Sequence, residues 1–287
     1  MNTPFSPGWA IAAASCALLL SACSESSTHT HAPPAGGGGA LADPGQNPAV
    51  ARRFGLVQLE QPLQEFDDGY AAAQFARHTT PKPYSELSAG LIPPVGGCSV
   101  TRSERSSGED DGLLDDERDR QVIGAGETIV FSSPAGTWLT IERMAGFSEV
   151  EYLNDDALPA TVPDELVVDI PGDDFPAFAQ VRVPSVTAPD GVTVDDDLTA
   201  PGSAIRWNAG DQEEIFLHVS LLSVDADGVA TTVDCLTQDD GAFSLPDNTR
   251  EALDPDFAGE PTLTRLGIHA LRQNDALLVV THESAPG

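Results

Sequence analysis

The chain has 287 residues, with 45 Asp and Glu against 14 Lys and Arg, and a formal net charge of −31 at pH 7. A surface this negative repels nucleic acid and anionic lipid, so electrostatic binding to either is excluded. A hydrophobic content of 40% is compatible with a folded core, and 26 Gly with 23 Pro favour a turn-rich β protein.

The first apolar segment runs from Trp9 to Ala22 and ends at Cys23. It is shorter than the ~20 residues that span a bilayer and has the length of a signal-peptide core. Its end, Leu20-Ser21-Ala22-Cys23, resembles the lipobox of bacterial lipoproteins. That resemblance implies a signal peptide over residues 1–22 and a thioether-linked diacylglycerol with an N-acyl chain, such as palmitate, on Cys23. Ser24 in place of Asp implies anchoring in the outer membrane of a Gram-negative envelope, on its periplasmic or its surface face.

Residues 23–49 are predicted to form the acylated cysteine and a flexible tether. The segment contains Pro33-Pro34, the glycine run Gly36–Gly39 and few large apolar side chains. Such a composition does not bury enough surface to offset the entropy of ordering the chain. About 25 residues of this kind hold the following part roughly 25–30 Å from the membrane on average. The anchor would therefore supply the membrane contact, with no transmembrane helix required.

After the tether, short alternating segments separated by Pro, Gly and Asp predict β-strands. These segments are Val57–Gln61, Thr128–Phe131, Thr137–Arg143, Leu166–Ile170, Ala179–Val183, Ile205–Asn208, Ile215–Val224, Ala230–Leu236, Thr262–Leu271 and Leu277–His282. Asp227-Gly228 suits a hairpin turn between two of them. Tyr70–Arg77 is compatible with helix or strand, and Pro246–Leu253 with one short helix.

The spacing of these segments predicts an all-β, Ig-like β-sandwich, either as one domain or as two packed β sub-domains. The boundary would lie at the Pro- and Asp-rich passage after residue 170, giving an N-terminal part over 50–170 and a C-terminal part over 171–287. Trp138 and Trp207 are predicted to pack in the core. His218 and His269 are out of step with their apolar neighbours, so they are predicted to face solvent.

Two cysteines remain once Cys16 leaves with the signal peptide and Cys23 is acylated. An even pair in an oxidising compartment predicts a disulfide between Cys98 and Cys235, with two unpaired thiols as the alternative.

Acidic runs offer the most abundant candidate ligands, and hard cations such as calcium take six to eight oxygens. The nearest approach to a calcium loop uses Asp225, Asp227 and Asp234, although Ser223 occupies the first ligand position and the segment also fits a hairpin. Other acidic runs, including Glu109–Asp111, Asp115–Glu117 and Asp195–Asp197, are typical of solvated loops. The common nucleophile, zinc-protease and P-loop motifs are missing from the sequence, so no catalytic residue and no cofactor are predicted.

Several short patterns together resemble uncharacterised secreted or lipid-anchored β proteins of Gram-negative bacteria. They are Phe54–Gln61, Ala125–Glu127, Tyr152, Pro171–Phe178, Trp207, Asp234–Cys235 and Gly241–Pro246. The resemblance implies β architecture and no activity. We therefore expect a non-catalytic envelope lipoprotein that binds an envelope protein or glycan. A hydrolase with a spatially assembled carboxylate site and a calcium-dependent adhesion module are the alternatives.

Overall fold

A computed structural model describes residues 50–61, 69–83, 87, 95–103, 119–145, 150–154, 158–159, 161–210, 212, 214–225, 229–253 and 260–285. Within these residues the chain forms sixteen strands and one helical turn. The strands are β1 (Val50–Glu60), β2 (Tyr70–Pro83), β3 (Gly97–Ser103), β4 (Arg120–Val122), β5 (Thr128–Ser133), β6 (Gly136–Ala145), β7 (Val150–Leu153), β8 (Leu166–Ile170), β9 (Phe178–Val183), β10 (Thr193–Val194), β11 (Ile205–Arg206), β12 (Ile215–Val224), β13 (Ala230–Gln238), β14 (Ala242–Phe243), β15 (Thr262–Gln273) and β16 (Ala276–Ser284). The helical turn is α1 (Asp247–Arg250).

Most strands belong to one twelve-stranded sheet with the order β13-β12-β15-β16-β1-β2-β7-β6-β5-β8-β9, and β4 pairs with β2 beside this path. The central pair, β1 and β16, is parallel, and the other pairs along the path are antiparallel. The first and last described strands therefore meet in the middle of the sheet. Strands from both sides of residue 170 share this sheet, and the proposed division into two parts stays a prediction.

The two central strands are apolar on both faces because each face has its own core. Along β16, Ala276, Leu278 and Val280 enter one cluster, while Leu277 and Val279 enter another on the opposite face. The alternation follows from the two-residue period of a strand. The larger cluster holds Phe75, Phe131, Tyr152 and Phe175, and the hydroxyl of buried Tyr152 accepts a hydrogen bond from the amide of Ala125 at 2.8 Å.

A three-stranded antiparallel sheet, β10-β11-β14, packs on the C-terminal part of the large sheet. Its Ile205, with the following Trp207, shares a third apolar cluster with Leu217 of β12, Val233 of β13 and Leu263 of β15. Two sheets enclosing one core make a sandwich-like arrangement. The predicted all-β fold is thus confirmed.

Strand positions follow the sequence pattern closely where one face is apolar. β8 and β12 begin and end at the predicted residues, and the predicted hairpin joins β12 to β13. Tyr70–Arg77, which fitted helix or strand, lies in β2. The predicted short helix is α1.

Residues 184–190, here called the crossover segment, connect β9 to the small-sheet side of the molecule. The segment passes over β15, where Gly267 leaves room for it: a Cβ there would lie 2.4 Å from the Cβ of Pro184. Pro184 and Val186 of this segment are buried against the sheet. The crossover segment therefore lies on β15.

Cys98 of β3 and Cys235 of β13 form a disulfide, with Cα atoms 4.0 Å apart. The Gly96 amide donates to the Leu236 carbonyl at 2.7 Å, so β3 is held beside the end of the large sheet. Across the described residues, no helix combines the length and apolar character needed to span a bilayer.

Candidate functional site

The outward face of the β12–β13 hairpin carries the most distinctive exposed arrangement of side chains. We call it the hairpin face and define it by His218, Ser220, Leu222 and Val224 of β12 with Asp234 of β13. Residues 218, 220, 222 and 224 share a face because side chains alternate along a strand. Their odd-numbered neighbours Leu217, Val219 and Leu221 fill the core behind them.

His218 and Asp234 form an ion pair on this face, with Nε2 to Oδ1 at 3.3 Å. Burial lowers the pKa of His218, but the hydrogen bond and charge of Asp234 outweigh burial and leave the pKa above its usual value of 6.5. Burial likewise raises the pKa of Asp234, yet hydrogen bonds from His218 and Ser220 bring it below 3.8 overall. The pair therefore favours its doubly charged form.

Glu283 of β16 faces the same side of the sheet, since it alternates with Leu278 and Val280 of the opposite face. Burial raises the pKa of Glu283 above its usual value of 4.5, and the charge of His218 opposes that shift. The same face thus holds an acid that resists ionisation, Glu283 on β16, and an acid that ionises readily, Asp234 on β13, with β12 and β15 between their strands. Two acids whose pKa values differ in this way can act as a general acid and a general base.

Leu222 and Val224 continue the hairpin face toward the turn and are 60% and 59% exposed. They are the most exposed of the large hydrophobic side chains in the described part of the chain. A single exposed apolar residue is ordinary, but two in register on one strand beside an ion pair form a patch with mixed character. This composition suits contact with another molecule.

A second polar cluster is buried between the two sheets and joins four parts of the chain. Asp239 lies 2.8 Å from the Nε of Arg265 and accepts a hydrogen bond from the indole of Trp207 at 2.6 Å. Arg265 also donates to the carbonyls of Thr187, Ala188 and Asn208 at 3.2, 3.3 and 2.8 Å. With side chains 9% and 2% exposed, Arg265 and Asp239 serve the fold and are not open to a ligand.

Asp225 and Asp234, the two calcium candidates within the described residues, do not converge. Asp225 accepts a hydrogen bond from the Val229 amide within the hairpin turn, whereas Asp234 pairs with His218. Asp234 lies opposite Ser220, five residues along β12 from Asp225, or about 16 Å at ~3.3 Å per residue. Asp227 and the acidic runs at 109–111 and 115–117 lie outside the described residues, as does Cys23. Within the described ranges, no group of three or more His, Cys, Asp or Glu is placed to hold a metal ion.

His218 and His269, which were predicted to face solvent, are only partly exposed. Their side chains are 27% and 21% exposed, and each lies near a carboxylate, Asp234 for the first and Glu214 for the second. These partners come from other strands or turns, so they are visible only once strand register is known. Trp207 is 5% exposed, as predicted for a core residue, and Trp138 packs partly buried against the larger core cluster.

Sequence reasoning also missed the pair Asp239–Arg265. An available signal was the position of Arg265 within the apolar strand sequence Leu263-Thr264-Arg265-Leu266, because a charge there needs a buried partner.

Comparison with family models, with curated proteins and with solved structures finds no match to this chain.

Proposed function

We propose that this protein is a lipid-anchored envelope protein whose β-sandwich binds a protein or glycan partner through the hairpin face without catalysing a reaction. The observation that carries the proposal is the exposed patch of Leu222 and Val224 beside the His218–Asp234 pair. Apolar contact at such a patch supplies affinity, and the ion pair at its border supplies orientation.

The anchoring part of the proposal rests on the lipobox at Cys23 and on the composition of residues 24–49. The disulfide between Cys98 and Cys235 supports it, because disulfides persist in oxidising compartments outside the cytoplasm. Metabolic labelling with a palmitate analogue tests it directly. We expect label on the mature protein and none on the Cys23→Ala variant, while an unlabelled mature protein would refute acylation.

The binding part is tested by placing a photo-crosslinking amino acid at position 222 in the full-length protein and irradiating intact envelopes. The matched control places it at Met144, which is 40% exposed on β6. We expect one defined adduct from position 222, absent from position 144 and lost when Val224→Asp puts a charge in the patch. Equal adducts from both positions, or none from 222, would count against the hairpin face as the binding surface.

The second candidate function is an extracytoplasmic hydrolase, favoured by the contrast between Asp234, whose pKa is lowered, and Glu283, whose pKa is raised. Separated pKa values suit an acid and a base, and with β12 and β15 between their strands the two carboxyls would have to act on a substrate that spans three strand spacings, or about 14 Å. A screen of envelope polymers would reverse the ranking if it found activity that Asp234→Asn and Glu283→Gln each abolish. Activity unaffected by both substitutions would remove this face as a catalytic site.

A further inference from the structure

The crossover segment is fastened to the large sheet by a buried histidine that makes a single hydrogen bond within the described part of the chain. His282 of β16 is 1% exposed, and its Nδ1 lies 2.6 Å from the carbonyl oxygen of Pro184. A carbonyl only accepts, so Nδ1 carries the proton and Nε2 is left unprotonated in the neutral ring. Among the described residues, the buried Nε2 has no hydrogen-bond partner.

Protonation would place a second N–H on Nε2, where the described residues offer no acceptor to receive it. A buried, unpaired charge is strongly disfavoured. Burial accordingly lowers the pKa of His282 below 6.5, although the hydrogen bond to Pro184 opposes the shift. The closed arrangement therefore requires a neutral ring.

Charged and titratable groups lie on neighbouring strands, but the shift in the pKa of His282 comes from burial. On the same face, β15 carries Arg265, which is paired with Asp239, and His269, whereas Arg182 of β9 is exposed between the buried Val181 and Val183. Glu214, before β12, pairs with Arg182 and lies 3.4 Å from the Nδ1 of His269. Burial and the charge of Arg182 lower the pKa of His269 as well. Leu59 of β1, beside His282, carries no charge, while Glu60 and Glu283 point to the other face.

We propose that protonation of His282 in mild acid releases the crossover segment from the large sheet, while both sheets remain folded. The remaining attachments of the segment include the hydrogen bonds from Arg265 to Thr187 and Ala188. Acid would place a cation at position 282, in a buried site where the described residues offer no acceptor to Nε2. The segment that moves is the one that connects the large sheet to the small sheet.

The expected change in the released fraction follows from the linkage between proton binding and release of the crossover segment. While the crossover segment is docked, His282 binds a second proton poorly. Once the segment is released, His282 binds it near the ordinary pKa of about 6.5, so acid favours release. Each pH unit below that value raises the released fraction by up to about tenfold while the closed ring stays neutral. Between about pH 7.5 and about pH 5.5 we expect an increase of about tenfold.

The test uses the full-length protein with Val186→Cys, because Val186 belongs to the crossover segment and is only 5% exposed. The thiol is probed with 4,4′-dithiodipyridine, which reacts in acid and at neutral pH. Its own pH dependence is measured with Leu222→Cys, whose thiol is exposed at both pH values. We expect the ratio of the two rates to rise about tenfold in mild acid, with unchanged far-ultraviolet circular dichroism.

Two further variants separate release from general loosening. His282→Asn keeps an N–H donor toward Pro184 and does not titrate, so in its presence the thiol introduced by Val186→Cys should stay shielded at both pH values. Gly267→Ala places a methyl group against Pro184 and should expose that thiol already at neutral pH. A pH-independent ratio, a rise that persists in His282→Asn, or loss of the circular dichroism signal together with exposure would each overturn the proposal.

A measurement that avoids the new cysteine uses Trp207, which is tied to the crossover segment through Asp239 and Arg265. With Trp9 and Trp138 replaced by Phe, quenching by neutral acrylamide should increase in mild acid, and His282→Asn should abolish the increase. Quenching that is equal at both pH values would refute release even if Val186→Cys fails to fold.

Discussion

Two histidines on the two faces of the large sheet are tuned in opposite directions by what their ring nitrogens touch. The Nε2 of His218 pairs with the carboxylate of Asp234, and the pKa of His218 is raised. His282 gives its one proton to a backbone carbonyl, and burial lowers its pKa. The carboxylate of Asp234 stabilises the cationic form of His218. In the described part of the chain, the only hydrogen-bond partner of His282 is a neutral carbonyl oxygen. Acid therefore stabilises the pair of His218 with Asp234, but it puts an unpaired charge on the buried ring of His282.

The contribution of His218 to stability should fall as pH rises. Because its folded pKa is raised, the stabilisation is fully present below the unfolded value of about 6.5 and is lost as pH rises through the folded pKa. His218→Asn should thus lower the free energy of unfolding at about pH 5.5 and have little effect at about pH 9. Urea unfolding over this pH range measures it. Asp234→Asn should show the same dependence, and a loss that is equal at all pH values would contradict the assignment.

Removing the buried charge of Asp239 should lower the free energy of unfolding far more than removing the charge of an exposed carboxylate. Asp239→Asn retains an oxygen for the indole of Trp207 but leaves the buried guanidinium of Arg265 without its counter-charge. Losing one partner of a buried pair costs about 3–5 kcal/mol. The matched control is Asp195→Asn, whose pair with Arg206 is about half exposed on both sides. Denaturant midpoints should separate the two variants clearly, and equal midpoints would show that the buried pair is not needed.

At the scale of the element, the sequence pattern predicts strands that alternate or form short apolar runs, but it does not predict which distant strand each one pairs with. β8 alternates cleanly, and its Leu166, Val168 and Ile170 are buried as predicted. β1 was predicted only from Val57, because Val50–Leu56 carries apolar side chains on both faces. Its parallel pairing with β16 joins the two ends of the described chain, and no local pattern encodes that contact.

The same limit applies to the candidate site. Leu222 and Val224 were predicted to lie in a strand, but the sequence does not show that their face is left uncovered. The pairing of His218 with Asp234 depends on the register that sets Ser220 opposite Asp234. The disulfide was predictable without any register, because the predicted processing and acylation would leave only two cysteines.

The strand β3 should depend on the disulfide for its place beside β13. Cys98 and Cys235 are 137 residues apart, so the bridge closes a long loop in the unfolded chain. Replacing both with Ser should lower the free energy of unfolding by about 2–5 kcal/mol. Urea unfolding measures the loss, and hydrogen exchange should show loss of protection at the Gly96 amide first. Two alkylatable thiols in the unreduced mature protein would contradict the bridge.

At the scale of the whole molecule, the charge of −31 acts mainly through surface carboxylates, whereas Asp239 is buried and has its own cation. Repulsion among like charges on a compact body opposes folding, and salt screens it over a Debye length of ~10 Å at 0.1 M. The melting temperature should therefore rise between about 0.05 M and about 1 M NaCl.

Calcium at millimolar concentration should add nothing beyond its ionic strength, because Asp225 and Asp234 are already engaged with Val229 and His218 and lie far apart. The comparison is calcium against chelator, with NaCl adjusted so that ionic strength is equal. An equal melting temperature in both supports surface repulsion as the origin of the salt effect. A rise specific to calcium would instead assign the acidity to cation binding and would favour calcium-dependent adhesion over the function proposed above.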